Sequence, residues 1–445
     1  MKRTLFILII LSAGIFAQYK VEWTSEYTSP GNISIDKSQF IAVDKNGNVL
    51  VTGVTNSSGI NDDLATIKYD NRGKQLWAAV YNGTGNYHDR PGGMVIDSYG
   101  NVYITGGSTG DGGTATDYFT VKYDHLGNEM WVSRFTSSGG IHDQANSIAI
   151  DGLGNIYVTG GAGHIVTDNS GMDWYTIKYD NDGRQIWAVG YDDNISTDEA
   201  DALTVDDYGN VYVTGRCGAP AYHIAVIKYD STGEKKWIAK YDGNAVSDDK
   251  PVSIKVDKQG LVHITGYSSE LNRDFVTIIY DNKGNEVWKK NFNGPANMND
   301  EAESMLIDEN GNAYILGYST VKKNHRNRCL LKYDISGNEK WNVLSDQSVK
   351  LTDQGIAGLK MAFDIEGNIL VTGSRKVIYN KYPTLMVIDC YSKDGILLWE
   401  AYHSKENSIP VAAGIASDLN GNVYLTGYII NSNNSYDFCT VKFAK

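Results

Sequence analysis

A pattern of about 50–55 residues occurs eight times along this chain. Its clearest copy runs from Ser147 to Tyr191, where SIAID, IYVTG, DWYTIKYD and RQIWAVGY alternate with turns and one loop. A period of this length is typical of architectures in which each unit covers the apolar surface of the next. The chain is therefore expected to fold as an assembly of similar units.

Each repeat contains four segments with the composition of β-strands. Runs of 4–7 β-branched and aromatic residues are separated by turns that contain Gly, Asp or Asn. The first segments end at Asp44, Asp97, Asp151, Asp206, Asp257, Asp308, Asp364 and Asp418. The second segments end in Thr-Gly except in the sixth repeat, where Leu316 replaces the Thr. Six of the third segments end in Asp, and seven repeats have a fourth segment that contains a Trp. Several segments are apolar on both faces, so both faces must be covered.

Four-stranded antiparallel sheets stacked around an axis satisfy this requirement, which predicts an all-β, eight-bladed β-propeller. The eighth repeat stops at Phe443 without a Trp segment. Residues 20–27 form a Trp segment that precedes the first repeat and belongs to none of the others. Trp23 and Tyr27 have the spacing seen in other fourth segments. We expect residues 20–27 to be the outermost strand of the last blade and to close the ring. The first segments would then line the central channel.

The motifs DxxGNvyvTG, DyxTiKYD and GnxxW in tandem make residues 20–445 similar to the bacterial SBBP family of β-propeller repeats. That family is described as seven-bladed, whereas this chain has eight repeats. The resemblance implies an exported, surface or periplasmic protein and brings no assigned activity. The Asp-x-x-Gly-x-x-x-Trp ladder also resembles that of eight-bladed quinoprotein dehydrogenases. Their adjacent cysteine pair is missing here, which argues against a bound quinone.

Residues 1–17 are predicted to be a signal peptide, because Lys2 and Arg3 precede a short apolar core and Ala17 precedes the expected cleavage point. Residues 18–445 would be a single β-propeller domain. The expected location is the periplasm, the cell surface or the extracellular space, without membrane insertion. The formal charge of −13 argues against nucleic-acid binding.

Four cysteines in this length do not make a disulfide framework. They are interpreted as isolated buried thiols. Cys217 is expected in a loop, and Cys329, Cys390 and Cys439 are expected in strands.

The loops on one face of the predicted propeller vary, and variable loops on a rigid scaffold commonly carry function. Eight residues before the end of the first segment, six repeats place a further aspartate: Asp36, Asp89, Asp143, Asp198, Asp249 and Asp300. These carboxylates could form a ring at the channel mouth that holds Ca²⁺, a cation that prefers oxygen ligands. Alternatively, each caps backbone N–H groups inside its own blade, which repetition in six blades favours.

Two irregular stretches are candidate ligand sites. The first is a basic patch of Lys322, Lys323, Arg326, Arg328, Arg375 and Tyr379. Arginine can bind a carboxylate, sulfate or phosphate through two N–H groups. Alternatively, the patch is a solvated loop that balances nearby aspartates. The second is Trp174 with Tyr175, whose rings suit a sugar or a peptide, or else fill space between blades.

No coherent catalytic set is visible. The leading hypothesis is an exported, non-enzymatic propeller whose loop face binds a glycan, a peptide or another envelope protein. A second hypothesis is a polysaccharide hydrolase or lyase, which predicts two carboxylates with shifted pKa values in a deep pocket at the channel mouth. A third is a structural module of a larger envelope assembly, which predicts a broad apolar patch on an outer face.

Overall fold

The computed structural model describes residues 19–445, apart from 31–33, 57–60, 111–114, 139–141, 167–168, 194–196, 219–220, 244–247, 270, 324, 346–348, 351–358 and 377–383. In the described residues every regular element is a β-strand, and the strands form eight antiparallel sheets. No helix in this part of the chain has the length and hydropathy needed to span a bilayer. The predicted signal peptide lies outside the described residues.

The sheets are the blades of a propeller, and each blade is described from strand a to strand d. The chain begins with β1 (Lys20–Tyr27). Blade one is β2 (Lys37–Val43), β3 (Val49–Thr55), β4 (Asp63–Tyr69) and β5 (Gln75–Tyr81). Blade two is β6 (Asp89–Ile96), β7 (Val102–Thr109), β8 (Thr116–Tyr123) and β9 (Glu129–Phe135). Blade three is β10 (Asp143–Ile150), β11 (Ile156–Val166), β12 (Asn169–Tyr179) and β13 (Gln185–Tyr191). Blade four is β14 (Glu199–Val205), β15 (Val211–Cys217), β16 (His223–Tyr229) and β17 (Lys235–Tyr241).

The remaining blades follow the same order. Blade five is β18 (Lys250–Val256), β19 (Val262–Ser269), β20 (Arg273–Tyr280) and β21 (Glu286–Phe292). Blade six is β22 (Asp300–Ile307), β23 (Ala313–Lys322), β24 (His325–Tyr333) and β25 (Glu339–Leu344), with the two-residue β26 (Val349–Lys350) added to β24. Blade seven is β27 (Lys360–Phe363), β28 (Ile369–Lys376), β29 (Thr384–Tyr391) and β30 (Leu397–His403). Blade eight takes β31 (Ile409–Ser417), β32 (Val423–Ile430) and β33 (Tyr436–Ala444).

Blade eight is completed by the other end of the chain. β1 pairs antiparallel with β33, with Trp23 opposite Lys442 and Tyr27 opposite Phe438. The a strands contact their neighbours on both sides around the ring, as β10 does with β6 and β14, so they are innermost. The eight-bladed fold, its closure by residues 20–27 and the channel position of the first segments are therefore confirmed.

The Thr-Gly motif is explained by a bulge in strand a. In blade two the ladder between β6 and β7 shifts between Pro91 and Gly93, which brings the Arg90 carbonyl close to Gly106. A Cβ on Gly106 would lie 2.0 Å from that oxygen, so only glycine fits. The hydroxyl of the preceding Thr105 donates to the Phe119 carbonyl at 2.8 Å. The motif thus holds strands a, b and c in register.

Neighbouring blades are joined through one backbone carbonyl in the turn between strands c and d. Trp77 of blade one donates its indole N–H to the His125 carbonyl of blade two at 3.2 Å, and the Lys68 ammonium donates to the same oxygen at 3.4 Å. Gly127 in that turn has φ of 89° and lies on the indole, where a Cβ would be 2.7 Å from the ring. The same indole-to-carbonyl bond links Trp23 to Asn71, Trp131 to Asn181, Trp187 to Ser231, Trp237 to Asn282, Trp288 to Ile335 and Trp341 to Lys393.

The joint between blades seven and eight is built differently, because strands c and d of blade eight come from opposite ends of the chain. Tyr19 takes the position of the missing turn. Its ring stacks on Trp399 with a centroid distance of 4.1 Å, and its hydroxyl donates to the Gly421 carbonyl at 2.8 Å. The residue just before β1 therefore seals the last joint.

The four cysteines are buried and form no disulfide, as expected. The placement of Cys217 in a loop was wrong, since this residue is the last of β15 and pairs with His223. Burial raises the pKa of the Cys217 thiol to about 12, so it is not an activated nucleophile.

Replacing Trp23 tests the closure. Trp23→Ala removes the indole that packs on Gly73 and donates to Asn71, and we expect the free energy of unfolding to fall by about 2–4 kcal/mol. The exposed Lys20 on the same strand is the control, since Lys20→Ala should change stability by less than about 0.5 kcal/mol. Denaturant unfolding measures both. Equal, small effects would show that β1 does not hold the ring closed.

Candidate functional site

The six aspartates predicted at the loop face are buried and cap the backbone. Asp143 accepts the Ser137 N–H, the Ser137 hydroxyl at 2.8 Å and the Gly163 N–H at 2.9 Å. Asp36, Asp89, Asp198, Asp249 and Asp300 likewise each accept an N–H from the loop that enters their own blade. Each carboxylate thus ties the loop that enters its blade to the start of strand a. This geometry is that of the capping interpretation, and Ca²⁺ at these positions stays a prediction.

One of these aspartates has two acidic neighbours. Carboxylate oxygens of Asp173, Asp192 and Asp198 lie within 4.8 Å of one another where blade three meets blade four. Asp192 is exposed, Asp173 is half-buried and Asp198 is buried. Calcium prefers oxygen ligands of this kind, so this is where the predicted Ca²⁺ would be placed.

A cavity of about 300 Å³ opens on the loop face between blades five and six. It is lined by Asn272, Met298, Asn299, Glu301, Tyr318, Thr320, Lys323 and Arg326. The basic stretch of blade six from Val321 to Arg328 is mostly strand, because β23 continues to Lys322 and β24 begins at His325. This long hairpin forms one wall. Two residues of the predicted basic patch, Lys323 and Arg326, therefore line the cavity.

Glu301 organises the charges of this cavity. It receives Arg273 at 2.7 Å from one side and Arg326 at 3.4 Å from the other. The Arg326 guanidinium also lies over the Tyr318 ring, 4.2 Å from its centroid. Lys323 is exposed and has no carboxylate within ion-pair distance among the described residues. The cavity thus presents two cationic groups, Lys323 and Arg326, whose charge is only partly balanced by Glu301.

The other basic candidates are not in the cavity. Arg328 and Arg375 both pair with Asp389, whose side chain is 2% exposed, and Arg375 also pairs with Glu400 at 2.9 Å. The Arg328–Asp389 pair joins blade six to blade seven, whereas Arg375 pairs within blade seven, and both arginine charges are compensated inside the protein. Lys322 is exposed on the hairpin, and Tyr379 lies outside the described residues.

Trp174 lies in the core between blades three and four and is 1% exposed. Its indole donates to the Arg216 carbonyl at 3.1 Å, and its ring meets Tyr191 edge-on. Tyr175 is half-buried and packs against Phe135 with centroids 5.2 Å apart. The arrangement is that of packing between blades. The segment before Trp174 is the extended hairpin of β11 and β12.

The channel holds two further carboxyl groups that were not among the predicted site residues. Asp201 and Glu303 occupy the bulge of strand a in blades four and six. Asp201 lies 3.3 Å from Lys250, but its Oδ2 atom is buried without a hydrogen-bond partner among the described residues, and burial raises its pKa to about 6. Burial also raises the pKa of Glu303, against the opposing effect of Lys360.

A signal for these two residues was present in the sequence. The fifth residue before the end of each first segment is neutral in the other blades, where it is Gln39, Gly92, Asn146, Val252, Leu359 and Ala413. This residue lies at the bulge of strand a, and the sequence pattern did not predict the bulge.

Comparison with known proteins supports the repeat assignment. The model of the SBBP β-propeller repeat matches residues 22–61 and 131–164. Among curated proteins, an uncharacterised WD repeat-containing protein of Acanthamoeba polyphaga mimivirus is 26% identical over 189 residues, which cover 39% of this chain and 11% of that protein. The regulatory protein FlaEY of Caulobacter vibrioides is 28% identical over 162 residues, covering 32% of this chain and 16% of that protein. The chain thus spans less than a fifth of either relative.

Two solved structures are similar to this chain at low identity. The quinohemoprotein alcohol dehydrogenase ADHIIG of Pseudomonas putida HK5 superposes with a TM-score of 0.52 and 12% identity, covering 96% of this chain and 76% of that one. The WD40 domain of SCAP from fission yeast gives a TM-score of 0.44 and 9% identity, covering 95% and 98%. The first of these likenesses shows the β-propeller fold and carries nothing about ligands.

The raised pKa of Asp201 gives a pH prediction. The unfolded chain releases this proton near pH 3.8, whereas the folded chain holds it to about pH 6, so the group opposes folding increasingly between these values. Asp201→Asn should therefore match wild-type stability near pH 4 and exceed it by roughly 2–3 kcal/mol at pH 7. Urea unfolding across this pH range measures the difference. Thr204→Ala on the same strand should shift stability equally at every pH, and the same flat offset for Asp201→Asn would refute the assignment.

Proposed function

We propose that this propeller of SBBP-type repeats is an exported interaction module whose partner binds in the loop-face cavity between blades five and six. The observation that carries the proposal is the concentration of irregular features at this one place. The long hairpin of blade six, an arginine stacked on tyrosine and a lysine without a local ion pair meet around one concavity. Propellers place such departures on a rigid ring, where loops are free to vary.

The chemistry of the cavity favours a polar partner that carries negative charge. Arg326 lies over Tyr318 with its guanidinium 4.2 Å from the ring centroid, so this group is already positioned to bind a carboxylate, sulfate or phosphate. Asn272 and Asn299 add amide groups that suit hydroxyl or peptide groups. An acidic glycan, an acidic peptide segment or such a segment of an envelope protein fits this description. WD-repeat relatives are consistent with an interaction role.

Export is proposed from the first 17 residues, whose charged start and apolar core have the form of a signal peptide. No feature of the cavity depends on this assignment.

An array of acidic and neutral glycans and peptides tests the proposal. A ligand found on the array should bind the variant Lys323→Ala/Arg326→Ala at least about tenfold more weakly, because both cationic groups are lost. The matched control is Arg184→Ala/Lys258→Ala, which removes two exposed cations from the opposite face. Calorimetry with the full chain provides the affinities. Equal loss in both variants, or no binding by any acidic glycan or peptide, would contradict the proposal.

A polysaccharide hydrolase or lyase is the second candidate, and the observation that favours it is the pair of channel carboxyl groups. Burial raises the pKa of Asp201 to about 6, so this group can hold a proton near neutral pH, as a general acid must. Burial also raises the pKa of Glu303, and Lys250 lowers the pKa of both groups. A channel that processes a chain would bring substrate past these groups.

Incubation with acidic polysaccharides tests that candidate through new reducing ends or an unsaturated product. If it is right, Asp201→Asn and Glu303→Gln should each lower turnover by about 100-fold or more, whereas Asp207→Asn on the opposite face should leave it unchanged. Turnover that survives both channel substitutions would rule these residues out. Binding without turnover would favour the interaction module.

A further inference from the structure

The face opposite the loop face carries a second surface, which the proposed function does not use. On this turn face, strands a and b are joined by an Asp-x-x-Gly turn whose third residue is exposed. In blades two, three and four that residue is Tyr99, Leu153 and Tyr208, with exposed fractions of 78%, 87% and 85%. In the other blades it is Asn46, Gln259, Asn310, Glu366 and Asn420. Three consecutive blades therefore carry an apolar arc, defined here as Tyr99, Leu153 and Tyr208.

Scattered exposed apolar residues are normal, but a regular set at one structural position in adjacent blades is not expected by chance. The arc is also rigid. Asp97 accepts the Tyr99 N–H at 2.8 Å, and Asp151 and Asp206 hold Leu153 and Tyr208 in the same way at 2.9 Å. Side chains presented on fixed turns lose little backbone entropy when they bind a partner.

A cavity of about 460 Å³ lies between Tyr99 and Leu153. Ile96 and Ile150 contribute apolar surface to it, so it is suited to an apolar side chain. Among the described residues that line it, Asp97 and Asp151 are charged and none is Lys or Arg. Burial raises the pKa of Asp151, but hydrogen bonds from Asn155 and Tyr157 outweigh it and keep the pKa below its usual value, so the carboxylate is ionised.

Further carboxylates surround the arc. Asp207 is exposed beside Tyr208, and Asp182 of the neighbouring turn has a side chain that is 68% exposed. Arg184 pairs with Asp182 at 3.4 Å and balances part of this charge. A second copy of a chain with net charge −13 would bring like charge to this surface. A cationic partner would meet opposite charge.

We propose that the apolar arc is a docking surface for a cationic polypeptide segment. The segment inserts an aliphatic or aromatic side chain between Tyr99 and Leu153, packs on Tyr208, and places Lys or Arg next to the carboxylates of the turn face. Tyrosines that present both a ring and a hydroxyl are frequent anchors of protein interfaces. The propeller would then have two interaction faces, one for the loop-face ligand and one for a basic protein partner.

The probe is a short fluorescein-labelled, amidated peptide in which Lys alternates with Leu and Phe. Fluorescence anisotropy with the full chain should show binding that weakens at least about tenfold in Tyr99→Ser/Leu153→Ser/Tyr208→Ser. The matched control, Asn46→Ser/Gln259→Ser/Asn310→Ser, changes the same turn position in three polar blades and should retain wild-type affinity. Peptides with Glu in place of Lys, or Ser in place of Leu and Phe, should bind at least tenfold more weakly. The single variant Leu153→Ser should show part of the loss if the triple variant folds poorly.

Four outcomes would overturn this inference. The first is equal affinity of the two triple variants for the peptide, and the second is equal affinity of the wild-type chain for the Lys-containing and Glu-containing peptides. The third is a wild-type dimer in sedimentation that the arc variant abolishes. The fourth is wild-type binding of the neutral sugar cellohexaose that the arc variant abolishes. The third would identify a second copy as the occupant, and the fourth a glycan. The variant Lys323→Ala/Arg326→Ala should keep full affinity for the peptide, so the test is independent of the loop-face proposal.

Discussion

One backbone carbonyl per joint holds this ring together. It belongs to the second residue of each c–d turn, whose first residue is an Asp in blades one to six and Ser392 in blade seven. This carbonyl accepts the indole N–H of the preceding blade in the seven joints that have such a turn. At five of those joints it also accepts a lysine ammonium, as Asn181 does from Lys122 at 3.1 Å. The turn glycine lies flat on the indole, which no residue with a Cβ could do. Each blade is thus bound to the next by packing and by polar bonds that point in one direction.

This joint explains why function must be sought in departures from the repeat. The joint between blades occupies the outer part of the turn face, and the strand-a bulge with its Thr-Gly partner occupies the inner strands. Capping aspartates such as Asp143 bind the loops to the blades with buried hydrogen bonds. What the repeat leaves free is the length of the b–c hairpin, the residue at the bulge and the third residue of the a–b turn. Variation at these positions produces the loop-face cavity, the channel carboxyl groups and the apolar arc.

Charged side chains also differ between the repeated framework and the departures from it. Several cations of this acidic chain have structural roles, as Lys122 in the joint and Arg328 against Asp389 show. Lys323 is an exception on the loop face, since its hairpin extends beyond the common framework. Arg326 is an intermediate case: Glu301 partly neutralises its charge, and its guanidinium packs over the Tyr318 ring. A ligand therefore meets a cavity whose cationic groups are oriented and only partly neutralised.

The number of blades, the order of their strands and the closure by residues 20–27 could be predicted from the sequence, because each of these follows from a period, from turn residues and from the unpaired Trp segment. The recurrence of the loop-face aspartates in six repeats also favoured a capping role within each blade. The sequence did not separate Lys323 and Arg326 from Arg328 and Arg375, because all four are basic residues near two adjacent hairpins and only the position of Asp389 tells them apart. The sequence likewise left open whether Trp174 contacts a ligand or fills space between blades, since burial between two blades depends on the neighbouring blade. The roles of Asp201 and Tyr99 were decided only by the tertiary structure, where a bulge and a turn place one in the channel and the other in solvent.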